Sequence, residues 1–299
     1  MSFTQVNLAG LPEPDVIERL DYEQIVLQLK DAVAAAHPPL AAVLQIEGEP
    51  ATKVIEVCAA FVLLTRARIN DAARGVMLAF ATGTSLDHLA ALLGVERLEL
   101  IPATDDQPAA FETDEDLRAR TQLAVEGLST AGPRGAYLFH ALSAHPDVLD
   151  VSISGPHDHP SVEPGSVVVA VVSRSESGVP ESEILDSVAA ALNADTVRPL
   201  TDTVIVRAAT PLPFSVRAVL HIAPEAPSGL IIAEAKAELE AYIAQARRAG
   251  SVLAVSGIYG ALQRTGVISV NLQSPLADVA ANPFQFPAMT SVELTAVVG

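Results

Sequence analysis

The sequence has no tryptophan, only 4% aromatic residues and a single cysteine. Lysine occurs three times, at Lys30, Lys53 and Lys236. Each scarcity excludes something. One thiol rules out a disulfide within the chain. Cys58 lies in the apolar helical pattern Val54, Cys58, Phe61, Val62, where it reads as a small buried hydrophobe rather than a nucleophile. So few rings argue against the aromatic-lined pockets that small-molecule sites recruit. Eighteen basic residues against 36 acidic ones leave a formal net charge of −18. Such a field repels phosphate backbones and anionic lipid, so neither nucleic acid nor membrane is an expected partner. Long apolar runs are missing too: Val54–Leu64 and Ser166–Val172 fall far short of the ~20 residues that span a bilayer. The opening Met1-Ser2-Phe3-Thr4-Gln5 has no basic stretch followed by an apolar one, so no secretory signal and a cytosolic setting are expected.

Half of the chain is hydrophobic, chiefly Ala, Val, Leu and Ile, which suit packed helices and strands. Its 299 residues allow two or three domains at roughly 100–200 residues each. The pattern predicts an α+β fold: a long-helix region over 1–97, then two mixed α/β subdomains over 98–209 and 210–299. Asp21 with Gln24 reads as a helix cap before Ile25, Val26, Leu29 and Val33, and His37-Pro38-Pro39 ends that helix. From Pro50 to about Ala81, apolar residues recur at three- and four-residue steps through Val54, Cys58, Phe61, Thr65, Ile69, Ala72, Val76 and Phe80. Ile55, Val57, Val62, Leu63 and Leu64 widen the stripe beyond one face. A helix apolar on most sides must be covered on most sides, and one short neighbour cannot do that, so partner chains are implied. Thr84-Ser85-Leu86-Asp87 predicts the cap of a further helix, and Thr113-Asp114-Glu115-Asp116 that of the next.

Beyond residue 144, strands alternate with helices: strands near 148–154, 166–172, 203–207, 214–222, 267–272 and 291–298, with helices near 180–193, 228–248 and 255–263. Two stretches echo each other. Ala141-Leu142 precedes Val148-x-x-Val151-x-Ile153-x-x-Pro156, and Ala261-Leu262 precedes Val267-x-x-Val270-x-Leu272-x-x-Pro275. The Leu98–Glu112 connector and the Ala208–Pro213 join, both rich in Pro or polar residues, are candidate hinges.

Candidate chemistry is thin. His157 and His159, two apart and twelve residues beyond His145, are the arrangement closest to a metal site, and a metal-dependent hydrolase built on them is the alternative function. They lie between Pro156 and Pro160, however, where a solvated turn is the better reading. Ser85, Asp87 and His88 contain the letters of a triad but cannot converge from one helical turn. Asp105-Asp106 and Asp114-Glu115-Asp116 suit helix N-termini better than acid–base catalysis. Gly132-Pro133-Arg134-Gly135 lacks the rest of a phosphate loop and reads as a turn. Arg66, Arg68 and Arg74 share the long helix with Glu56 and Asp71, either as a solvated face with local ion pairs or as anchors in a protein interface. No enzyme activity, cofactor or metal is expected.

The run Arg68-Ile69-Asn70-Asp71-Ala72-Ala73-Arg74 into Met77-Leu78-Ala79-Phe80-Ala81-Thr82-Gly83-Thr84-Ser85-Leu86-Asp87-His88-Leu89-Ala90 resembles baseplate J-like proteins of contractile-tail phages and related injection particles. Asp114 to Arg120, Ser129 to Tyr137, Pro164 to Val169 and Ser256 to Pro275 resemble the same family in order, from about residue 15 to 298. The resemblance implies a structural wedge component of the baseplate, present as two copies with one copy of a second wedge protein. It implies N-terminal helices in a shared bundle, a C-terminal region meeting neighbouring wedges around the central hub, contact with the sheath initiator, and relay of the trigger to the sheath. The particle's tail would be its location, with assembly in the host cytoplasm. The expected assembly interface is Val54, Cys58, Phe61, Ile69, Arg68, Arg74, Met77 and Phe80.

Overall fold

Asp21 opens the first helix. Its carboxylate accepts the Gln24 backbone N–H at 3.2 Å, satisfying a free amide at the start of α1 (Tyr22–Ala36). The structure, a computed structural model, describes residues 6–104, 107–129 and 131–298, so Asp105-Asp106 and the first five residues lie outside it. It divides into two compact units. One holds the N-terminal helices up to Glu96 with Asp114–Arg118; the other holds Arg97–Thr113 and everything from Ala119 onward.

In the N-terminal unit, α1 lies along α2 (Pro50–Gly75), and Ile25, Val26 and Ala59 are buried between them. Pro50 starts α2 because its missing N–H and fixed φ cost nothing in a first turn. The helix stops at Gly75, not near Ala81 as the periodicity predicts. Glycine is a poor helix former, and the next residues fold into turns, with Met77 N–H on Arg74 O at 3.1 Å and Ala81 N–H on Met77 O at 2.8 Å. The Arg118 guanidinium takes the Leu78 and Ala81 carbonyls at 2.8 and 2.7 Å. Ala81 is apolar for its own burial, which extended the helical signal past the helix. The rod is therefore about 39 Å long. Helix α3 (Gly83–Ala91) begins one residue before the predicted cap, and its Gly83 N–H is held by the Asp114 carboxylate at 3.1 Å rather than by a local side chain.

The second unit opens with an antiparallel ribbon of β1 (Glu99–Ile101) and β2 (Ala110–Phe111). Glu112 then anchors the chain. Its fully buried carboxylate pairs with Arg120 of α4 (Asp114–Gly127) and accepts Leu98 N–H at 2.9 Å, while Arg97 holds its carbonyl at 2.8 Å. Arg120 also reaches the Ser143 hydroxyl at 3.2 Å. Both ends of the Leu98–Glu112 connector are thus pinned, which is not how a free hinge is built.

Helix α5 (Arg134–Ser143) leads into a three-stranded sheet of order β3-β4-β5, formed by β3 (Val148–Ser154), β4 (Ser166–Ser173) and β5 (Thr203–Ala208), with α6 (Ser182–Leu192) crossing between the parallel pair β4 and β5. Strand β4 is covered on both sides. Val169 and Val171 face α5 and α6, while Val168, Ala170 and Val172 meet Phe284 and Phe286. Double burial is why its sequence is uniformly apolar rather than alternating. The second sheet, of order β10-β6-β8, is built from β6 (Thr210–Ile222), β8 (Val267–Ser274) and β10 (Gln285–Val298), and buries its inner face under α7 (Ser228–Ala246) and α8 (Val255–Leu262). A separate small antiparallel pair is formed by β7 (Val252–Leu253) and β9 (Val279–Ala280). Strands β6 and β10 start earlier than predicted because Pro211, Pro213 and Pro287 mask the signal. The prolines are tolerated where β6 lacks its second neighbour, since β8 pairs only from Arg217, and on the edge strand β10.

The two sheets share one plan, and it explains the sequence echo. In each, a central strand (β4, β6) is followed by a helix, runs parallel to one edge strand (β5, β10) and antiparallel to the other (β3, β8). That antiparallel edge strand is entered in both cases from a short helix, α5 or α8, and carries the repeated pattern. In the first sheet this helix–strand pair precedes the central strand; in the second it follows. The Ala208–Pro213 join is no hinge either. Ala209 is 1% exposed and donates to Val171 O at 2.8 Å, and Thr210 N–H donates to Phe284 O at 2.9 Å. The turn after α7 reinforces it: Arg248 donates to Leu149 O at 2.8 Å, and Ala249 N–H to the Asp150 carboxylate at 2.8 Å.

Candidate assembly face

Helix α2 has two opposed sides. At about 100° per residue, its buried residues Thr52, Ile55, Ala59 and Asn70 share one side, which α1 and the segments before and after it cover, the Thr52 hydroxyl donating to Leu44 O at 3.3 Å. On the far side, Val54 is 62%, Phe61 67% and Ile69 55% exposed. Val57 and Leu64 join them at 57% and 64%. Together with Cys58, Thr65, Arg68 and Ala72, all exposed, these residues fill an arc of about 140° along about 27 Å of helix. Scattered exposed hydrophobics need no explanation, but a contiguous apolar strip marks a contact surface. Cys58 belongs to it: the thiol is exposed and not buried as its sequence neighbours suggest, because α1 packs against the opposite side.

The covered side is held by polar contacts that sequence reasoning missed. Asn70, 4% exposed, accepts Glu18 N–H at 3.1 Å and donates to Glu18 O at 2.8 Å, fixing the strap before α1 onto α2. Arg74 binds Glu13 at 2.9 Å and Asp71 at 3.5 Å, and Arg66 approaches Glu18 at 3.4 Å. Arg74 is therefore a clasp within the chain, turned away from the outer face. Met77 and Phe80 sit half-buried in the turn after α2, off the strip. Of the eight expected interface residues, the structure gathers Val54, Cys58, Phe61, Arg68 and Ile69 and separates the other three. Val57 and Leu64 belong with the five. Their apolar character was visible in the sequence, but not the side on which α1 would lie.

The histidine loop is occupied by structural work. His159 packs edge-on against Phe284 with ring centres 4.8 Å apart, and its Nδ1 lies 2.8 Å from the Ser161 hydroxyl. Arg207 covers the same ring at 3.7 Å from its centroid. His145 Nδ1 accepts Asp147 N–H at 3.1 Å, an ordinary turn contact, and His157 is exposed. Asp158 accepts Gly155 N–H at 2.8 Å and Arg134 at 2.7 Å, and these bonds hold its carboxyl below the usual range. Arg134, the first residue of α5, thus ties that helix to the Gly155–Asp158 turn. Among the described residues, no group of three or more His, Cys, Asp or Glu side chains is placed to hold a metal ion. Also among them, no helix is long and apolar enough to cross a membrane. Ser85, Asp87 and His88 stay on the single helix α3.

These features define a protein whose long N-terminal helix carries a contiguous exposed apolar strip. The comparisons give the family. The model described as the Baseplate J-like N-terminal domain matches residues 47–104, and that of the Baseplate J-like central domain matches residues 129–208. The chain is 40% identical over 289 residues to "Baseplate protein J" of Escherichia phage P2, covering 94% of each chain. It therefore belongs to the baseplate J-like family. It also aligns, at 16% identity and a TM-score of 0.43, with a chain in the cryo-EM structure of the anti-feeding prophage baseplate, over 61% of this chain and 43% of that one. At that score the alignment bears on neither fold nor function.

Proposed function

We propose that this protein is a non-catalytic wedge component of a contractile-tail baseplate. It works as two copies with one copy of a second wedge protein, meets neighbouring wedges and the sheath initiator, closes a ring around the central hub and relays the trigger to the sheath. The observation carrying this reading is the outer face of α2, where Val54, Val57, Phe61, Leu64 and Ile69 are each more than half exposed. Family membership and the name of the phage P2 relative support the setting. Burying such side chains favours association by at most about 1.5–3 kcal/mol each, before the cost of ordering the partner.

Phe61→Asp places a charge in the strip without touching the core, so the free chain should keep its melting temperature. In particles assembled from their full set of tail proteins, the variant should be missing from baseplates. A variant that enters baseplates at the normal level would overturn the reading.

A further inference from the structure

One recess of the second unit is walled by hydrogen-bond donors. It holds about 220 Å³, and its walls include His159 of the β3–β4 loop, Arg207 of β5, and Asn282, Phe284 and Gln285 at the entry to β10. The Arg207 guanidinium lies flat over the Phe284 ring, 3.7 Å from its centroid, and His159 meets that ring edge-on. Stacking engages the face of the guanidinium and leaves its N–H edge to donate. Among the described residues Arg207 has no carboxylate partner, although the chain carries 36 acidic side chains to 18 basic ones.

The other polar side chains have their acceptors engaged and their donors left over. Ser161 N–H donates to His159 Nδ1 at 3.3 Å, which puts the proton of the neutral ring on Nε2. Asn282 Oδ1 accepts Phe284 N–H at 2.9 Å, and Gln285 Oε1 lies 3.5 Å from Asn282 N. These contacts orient both amides so that their NH2 groups remain to donate. The Thr210 hydroxyl is already turned to Phe284 O at 3.3 Å. No Asp or Glu is among the described residues that line the recess.

We infer that this recess is a binding site for a small carboxylate. The two oxygens of a carboxylate match the guanidinium edge, and the imidazole and amide N–H groups supply further donors. A volume of this size equals about seven waters, which suits a small organic acid and excludes a nucleotide. A phosphate would bring nearly two negative charges to a single cation in a chain of net charge −18, whereas a carboxylate brings one. Bound there, the ligand would join three segments far apart in sequence and so stabilise the fold that holds them.

The test is ligand-observed NMR on the purified full chain, with acetate and succinate titrated against chloride at constant ionic strength. Saturable binding of acetate or succinate is expected. Arg207→Gln, at an exposed position, should raise the dissociation constant by about tenfold or more. Gln285→Glu, nearly the same shape, places a carboxylate among the donors and should abolish binding. Arg207→Lys keeps the charge but loses the fork, and should bind more weakly than the wild type. Absence of saturable binding to the wild-type chain would overturn the proposal, as would unchanged binding by both Arg207→Gln and Gln285→Glu. Tighter binding of inorganic phosphate than of either carboxylate would overturn the choice of ligand.

Discussion

Asp150 should become a more stable residue when it loses its charge. It sits on β3 with its side chain 21% exposed, accepts Ala249 N–H at 2.8 Å, and has Arg248 only at 3.9 Å. Burial outweighs both contacts and pushes its pKa from 3.8 up to about 6. The folded chain therefore takes up a proton between these values that the unfolded chain does not. The ionised carboxylate destabilises the fold fully above about pH 6, and the penalty fades as the pH falls toward 4. A shift of this size corresponds to about 3 kcal/mol. Asp150→Asn keeps an oxygen for Ala249 and removes the charge. At about pH 8 the variant should be more stable by about 1–3 kcal/mol, a rise of several degrees in melting temperature, and the advantage should vanish near pH 4. Paired urea titrations of wild type and variant across that range read the difference directly, cancelling every other carboxylate. A variant less stable at about pH 8, or one whose advantage is the same at both ends, would refute the reasoning.

Other outcomes follow from the packing. Arg120→Met strands the buried Glu112 carboxylate and should cost about 3–5 kcal/mol in urea unfolding, while Glu112→Gln with Arg120→Met should recover much of it. Asn70→Ala removes both bonds to Glu18, so the segment before α1 should be cleaved faster in limited proteolysis at a cost of about 1–3 kcal/mol. A Cβ on Gly257 would lie 2.2 Å from the Tyr242 ring, whose hydroxyl bonds both the N–H and the carbonyl of Ala254 at 3.1 Å. Gly257→Ala should destabilise by about 1–3 kcal/mol, and adding Tyr242→Leu should relieve part of that in thermal melts.

Much of the fold was legible because local signals and tertiary demands agreed. The Asp21 cap, the Pro38 stop, the apolar run of β4 and the repeated strand pattern all reappear as elements. The echo between Val148–Pro156 and Val267–Pro275 even marks equivalent edge strands, although the order of their units differs. Agreement failed where one residue type serves two ends. Helix α2 is apolar nearly all round, so periodicity alone could not say whether Val54 and Cys58 or Ile55 and Ala59 would meet α1. Ala81 extended the helical pattern although Gly75 had ended the helix. Arg74 looked like an interface anchor because its partner Glu13 is 61 residues away in sequence, beyond any local pattern. The prolines of β6 and β10 hid strands whose open edges allow them. His159 resembled a ligand, but its ring is engaged by Phe284, 125 positions on.

The single cysteine offers the most direct measurement, since Cys58 lies on the outer face of α2 in the unaltered protein. A maleimide should label it readily in the free chain. In intact particles the label should be excluded, and dissociating the baseplate should restore it. Equal labelling of Cys58 in free chain and intact baseplate would contradict the claim that this face is where the protein joins its assembly.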